Sequence, residues 1–133
     1  MKSTDHGAGS KGKLLAGYII SALVALMLIF DAAAHLIKPA PVVQAFARLG
    51  YPLSASVGIG LVLLICTAIY VVPKSSVLGA ILLTGYLGGA VSTHLRAVSS
   101  TFEMIFPVIF GGLAWLGVYL RDARLRALVP LRG

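Results

Sequence analysis

Residues 77–96 read VLGAILLTGYLGGAVSTHLR, and this stretch decides the fold. At about 1.5 Å rise per residue it is long enough, as a helix, to cross a hydrocarbon core of about 30 Å. It is rich in small residues: Gly85 and Gly89 form a G-x-x-x-G pair, Gly88 lies beside them, and Thr93 extends the same small face by another turn. In lipid the hydrophobic effect between helices is weak, and a face of this kind lets neighbouring backbones approach closely. The stretch is therefore expected to be the central helix of a membrane bundle, with Thr93, His94 and Arg96 as a polar group at one end.

The rest of the chain has the composition of such a bundle. Hydrophobic residues make up 59% and charged residues 11% of the 133, and mean hydropathy is +0.98, whereas soluble domains carry about a quarter charged residues. The length leaves room for about four spans with short connections. The formal charge of +7 does not point to nucleic acid. The basic residues flank the apolar segments, and none are interleaved with aromatics on a soluble face. Cys66 stands alone in an apolar run, so neither an intramolecular disulfide nor a C-x-x-C dithiol centre is available. It reads as a small buried hydrophobe.

Taken in order, residues 1–13 are polar and basic and are expected to form a disordered cytoplasmic tail. The first span is residues 14–37. Ala32-Ala33-Ala34 resembles a signal-peptidase site, but the apolar run before it exceeds a usual h-region of about 7–15 residues, which favours a retained helix. Pro39, Pro41, Gly50 and Pro52 break the chain after this span. Between them Val42, Val43, Phe46 and Leu49 recur at helical spacing opposite Gln44 and Arg48, predicting a short interfacial amphipathic helix. The second span is residues 53–72 and the Pro73–Ser76 link makes a hairpin with the third, residues 77–96. The loop after it runs to Glu103. The fourth span is residues 104–120, with Pro107 in its first turn and Gly111, Gly112 and Gly117 as further close-packing positions. Residues 121–133 form a basic tail. The expected fold is an all-α four-transmembrane-helix bundle with one short interfacial helix between spans one and two.

All eleven Lys and Arg residues bear on orientation. Lys2, Lys11, Lys13, Lys74, Arg121, Arg124, Arg126 and Arg132 fall on one side; Lys38, Arg48 and Arg96 fall on the other. The imbalance places both termini in the cytoplasm of a bacterial inner-membrane protein.

The polar residues within the spans cluster at the opposite side. Asp31 and His35 are four apart, on one helix face. Tyr86, Ala90 and His94 form a similar row, and Glu103 immediately precedes the last span. Asp31 lies about 25 Å along its helix from Leu14, in the outer part of the core, where an ionised group still favours a partner in the bundle. His94 is the partner expected at that depth. Structural uses compete with chemical ones: a hydrated helix end for Asp31 and His35, snorkelling or C-capping for His94 and Arg96, an N-cap for Glu103, packing for Tyr86. If Asp31, His35, His94 and Glu103 converge, with Tyr86, Thr93 and Arg96 lining a binding site, a carboxylate–histidine pair can relay protons or hold a quinone head group. No metal motif supports the same donors as a metal site. Two histidines near one interface leave little room for a haem.

FARLGYP (Phe46–Pro52) and LGAILLTGYLGGAVSTHLR (Leu78–Arg96) resemble the DoxX-like family of small four-helix bacterial inner-membrane proteins, and the resemblance extends over about Leu15–Leu120. It implies a four-helix membrane bundle. It also implies an association with redox systems, since some relatives are subunits of quinone-coupled oxidases or of thiosulfate-oxidising complexes. The functions this leaves are binding a lipid-soluble redox molecule or supporting a redox complex, a non-catalytic assembly subunit or homo-oligomer, and a stand-alone enzyme using Asp31 and a histidine as an acid–base pair on an apolar small molecule. A solute carrier is disfavoured, because inverted repeats and broken helices are missing from the pattern.

Overall fold

The computed structural model describes residues 3–129, and they contain helices and no strand. Helix α1 (Ser3–Ile37) is followed by α2 (Ala40–Leu49), α3 (Ala55–Val71), a 3₁₀ turn (Pro73–Ser75), α4 (Ser76–Arg96), α5 (Thr101–Arg121) and α6 (Ala123–Leu128). Helix α1 packs against α3 and α5, and α4 packs against the same two, so the four long helices form a closed ring. Its interior is filled by Val24, Leu28 and Ala32 of α1, Leu63 and Tyr70 of α3, Leu83 of α4, and Ala114 and Val118 of α5. Cys66 is buried among them as a free thiol.

The outside of the ring is apolar too. Leu23, Leu26, Phe30, Ile65, Ile81 and Val108 are all exposed. Gly9–Ile37, Pro73–Arg96 and Thr101–Arg121 are long and apolar enough to cross a membrane; Ala55–Val71 is apolar but shorter. Aliphatic surface of this extent needs lipid around it.

Several boundaries differ from expectation. The tail expected to be disordered over residues 1–13 is helical from Ser3, and residues 1 and 2 lie outside the described part. No proline separates Ser3 from the apolar run, and a helix already nucleated propagates through each further residue at little cost. Helix α5 starts at Thr101 rather than residue 104, because Ser100 caps it and Glu103 completes a reciprocal capping box. Pro107 is consequently its seventh residue, inside the helix and not in its first turn. The basic C-terminal stretch folds back as α6, burying Leu125. Arg126 donates to the Tyr119 and Leu120 carbonyls at 2.8 and 2.7 Å, occupying acceptors left free at the end of α5. Residues 130–133 lie outside the described part.

At Pro39 and Pro73 a carbonyl at a helix end lacks its usual donor, and a serine replaces it in each case. Pro39 has no N–H for the His35 carbonyl; the Ser56 hydroxyl on α3 donates to it at 2.6 Å. Pro73 leaves the Ile69 carbonyl free, and the Ser75 hydroxyl donates there at 2.8 Å. Such replacement is obligatory where water is scarce.

The close-packing glycines are mostly not those expected. A Cβ at Gly85, Gly88, Gly89 or Gly112 would meet nothing within 4 Å, and one at Gly111 would make only ordinary contact with Leu87 at 3.7 Å. Gly117 does pack closely: a Cβ there would collide with Ser21 and lie 3.1 Å from the Tyr70 hydroxyl. The other tight positions are Gly17 against Arg121, Gly60 against Ala32 and His35, and Gly79 against the Tyr70 backbone. The reason is rotational. On α4 the inward positions are Gly79, Ala80, Leu83 and Leu87, which turns Gly85, Gly88 and Gly89 outward.

Candidate functional site

The polar residues gather at the end of the ring where α1 and α4 finish and α5 begins. Asp31 and His35 share a face of α1, as their spacing requires. His35 Nδ1 lies 2.8 Å from the Asp31 main-chain oxygen and 3.8 Å from a carboxylate oxygen of Asp31. A carbonyl only accepts, so Nδ1 carries the proton, and Nε2 has no hydrogen-bond partner among the described residues. Gly60 admits this part of α1: a Cβ there would sit 2.9 Å from His35 Cβ.

Helix α2 lies across this end. No broad interface holds it to the ring; side chains do. Phe46 is buried, with its ring edge-on to His35 at 5.8 Å between centroids and to Tyr51 at 6.4 Å. Arg48 forms an ion pair with Glu103 of α5 at 2.5 Å. Beyond the helix, the Tyr51 hydroxyl is 3.2 Å from Thr93 Oγ1 on α4, and the Arg96 guanidinium stacks over the Tyr51 ring at 5.8 Å. Gly50 takes the left-handed conformation (φ 75°) that turns the chain from α2 toward Tyr51. One strap thus touches α1, α4 and α5 together.

The expected cluster is only partly assembled. Asp31, His35, Glu103, Thr93 and Arg96 all belong to the network around α2. Tyr86 packs against the core. His94 departs from expectation. Among the described residues no hydrogen bond or ion pair joins it to Asp31; its Nδ1 is 3.0 Å from the Ser99 hydroxyl of its own loop. Helix α4 ends two residues beyond it, at Arg96, and Ser99 reaches back because Val98 adopts a left-handed φ of 53°. Glu103 serves as the N3 member of the α5 cap, its carboxylate accepting from the Ser100 N–H at 3.0 Å. No group of three His, Cys, Asp or Glu side chains among the described residues is placed to hold a metal ion.

Sequence reasoning missed the roles of Arg48, Tyr51 and Phe46. All three belong to the amphipathic segment, which was expected only to lie at the membrane surface. The S-x-x-E pattern at Ser100–Glu103 was a legible signal for one anchor of the strap; the ion pair from Arg48, 55 residues away, had none.

A small chain, helical throughout its described residues, with outward aliphatic faces and its polar groups drawn to the ends of the helices is an integral membrane protein. A sequence model of the DoxX-like family matches residues 19–117, and the chain belongs to that family. No curated protein and no solved structure matches it.

Proposed function

We propose that the chain is a four-span inner-membrane protein with both termini cytoplasmic, and that its α2-covered end holds a lipid-soluble redox molecule such as a quinone, alone or within a redox complex. One observation carries this reading: an Asp31–His35 pair, whose imidazole Nε2 has no hydrogen-bond partner among the described residues, lies beneath an aromatic strap. A quinol head group combines a flat apolar ring with hydroxyl donors. The faces of Phe46 and Tyr51 suit the ring, and Nε2 of His35 suits a hydroxyl proton. The 17 residues of α3 cover about 26 Å, which supports a fourth crossing if the bilayer thins or flanking residues adapt slightly.

Ligand binding is tested by melting the purified protein with and without a short-chain quinone. The wild type and His94→Gln, whose histidine serves its own loop, are expected to gain stability. Asp31→Asn and His35→Gln are expected to gain none. A quinone shift that survives both substitutions, or no shift in the wild type, would sink the proposal.

That result would favour a second reading, an assembly subunit. The open Gly85, Gly88 and Gly89 face of α4 supports it, since a Cβ at those positions would meet nothing within 4 Å among the described residues.

Orientation is tested with single cysteines replacing Lys11, Gln44, Lys74 and Val98 in a Cys66→Ser background. An impermeant thiol reagent applied to intact cells should label only the Gln44 and Val98 positions. Labelling at Lys74 would invert the topology.

A further inference from the structure

The end of the ring opposite α2 contains a second polar site. Here α1, α5, α6 and the α3–α4 link border an open recess of about 310 Å³ lined by Tyr18, Ser76, Arg121 and Arg124, among others. Arg121 is the last residue of α5, about 30 Å along the helix from Thr101. Its guanidinium is wedged between two aromatic rings, 5.8 Å from the Tyr18 centroid and 5.4 Å from that of Tyr70. Gly17 makes room for it, since a Cβ there would lie 2.9 Å from the Arg121 amide nitrogen. One nitrogen, Nη2, makes a long 3.4 Å bond to the Tyr70 carbonyl. Nε is buried and has no acceptor among the described residues, and no carboxylate there lies within ion-pair distance of the group. Asp122 also borders the recess. Its carboxylate is already engaged, accepting from the Arg124 and Leu125 amides at 2.9 and 3.4 Å and pairing with Arg124 Nε at 3.5 Å.

A sheltered arginine held by aromatic rings and lacking a counter-charge is an expensive arrangement unless something anionic completes it. Arginine is suited to phosphate because its planar fork donates two parallel bonds. We propose that this recess binds a phosphate-bearing anion, with Arg121 as the fixed donor, the exposed Arg124 as a second cation beside Asp122 and Ser76 at the wall. The phosphate can be presented by an anionic lipid headgroup, for which basic recesses at the ends of packed membrane helices are suited, or as a free ion.

The test is thermal unfolding of the purified protein in neutral detergent, followed by the fluorescence of Trp115. Short-chain phosphatidylglycerol, short-chain phosphatidylcholine and inorganic phosphate are compared at equal ionic strength. Phosphatidylglycerol or inorganic phosphate should raise the midpoint by about 4–6 °C at roughly ten times its dissociation constant. Phosphatidylglycerol acting alone identifies the lipid as the source; inorganic phosphate acting equally well identifies the free ion. The rise should persist in Lys13→Gln, which removes a nearby surface charge, and vanish in Arg121→Gln and Arg124→Gln. The highly exposed Arg124 decides the matter if Arg121→Gln does not fold. An equal rise with phosphatidylcholine, a rise unchanged in Arg124→Gln, or no rise in the wild type would overturn the proposal.

Discussion

Gly79→Leu is expected to destabilise the protein by about 3 kcal/mol or more, the upper end of overpacking, or to prevent folding altogether. Even a Cβ at Gly79 falls inside contact distance of the Tyr70 backbone nitrogen and Cα, and main chain cannot swing aside as a flexible side chain can. Tyr70 is itself pinned. It is fully buried, and its hydroxyl donates to the Ala114 carbonyl on α5 at 2.8 Å and lies 3.2 Å from Ser21 Oγ on α1. Shifting Tyr70 to admit a side chain at Gly79 would therefore disturb three helices. The contrasting variant is Gly89→Leu, which belongs to the more conspicuous G-x-x-x-G pair yet has open space beside it. In dilute detergent it should change stability by less than about 1 kcal/mol. Reversible unfolding in a denaturing detergent, read by Trp115 fluorescence, measures both. If Gly89→Leu proves as damaging as Gly79→Leu, α4 is not rotated with Gly79 inward and Gly89 outward.

The second large effect concerns the strap. Phe46→Ala should cost α2 about 3 kcal/mol of docking free energy, as expected for removing a buried phenylalanine. Phe46 is the buried residue of that helix, and Val42, Ala45 and Leu49 are only half-buried. The Arg48–Glu103 pair is half exposed, and a pair so hydrated contributes on the order of 0–1 kcal/mol. A loss of 3 kcal/mol corresponds to about a hundredfold increase in local opening. Hydrogen exchange resolved by peptide should show residues 40–49 exchanging about a hundredfold faster, while Ala55–Val71 keeps its protection. Faster exchange spread evenly over α3 and α4 would mean that Phe46 supports the whole ring rather than one movable element. If the strap covers a ligand, the same variant should also weaken quinone stabilisation without touching Asp31 or His35.

Periodicity, length and charge placement were enough to read the all-helical class and nearly every helix from the chain, because spacing and capping are local properties. Residues 14–37 end where Pro39 forbids continuation, the amphipathic pattern between the prolines became α2, and Ser100-x-x-Glu103 carries its capping box in four consecutive residues. Glycine content likewise announced close packing. Which glycines pack was not legible, since that depends on the rotation of each helix about its axis. Neighbours set that rotation, and they turned Gly79 and Gly117 inward and Gly85, Gly88 and Gly89 outward. The polar end shows the same division. Asp31 and His35 were readable as a pair because four residues make one helical turn, whereas His94 went to Ser99 because a local loop bond forms without requiring α1 and α4 to meet at that depth. Only the assembled ring brings Ser56 to the carbonyl orphaned by Pro39, Arg48 to Glu103, and Arg121 between Tyr18 and Tyr70. Those contacts join residues far apart in the chain, and no local preference encodes them.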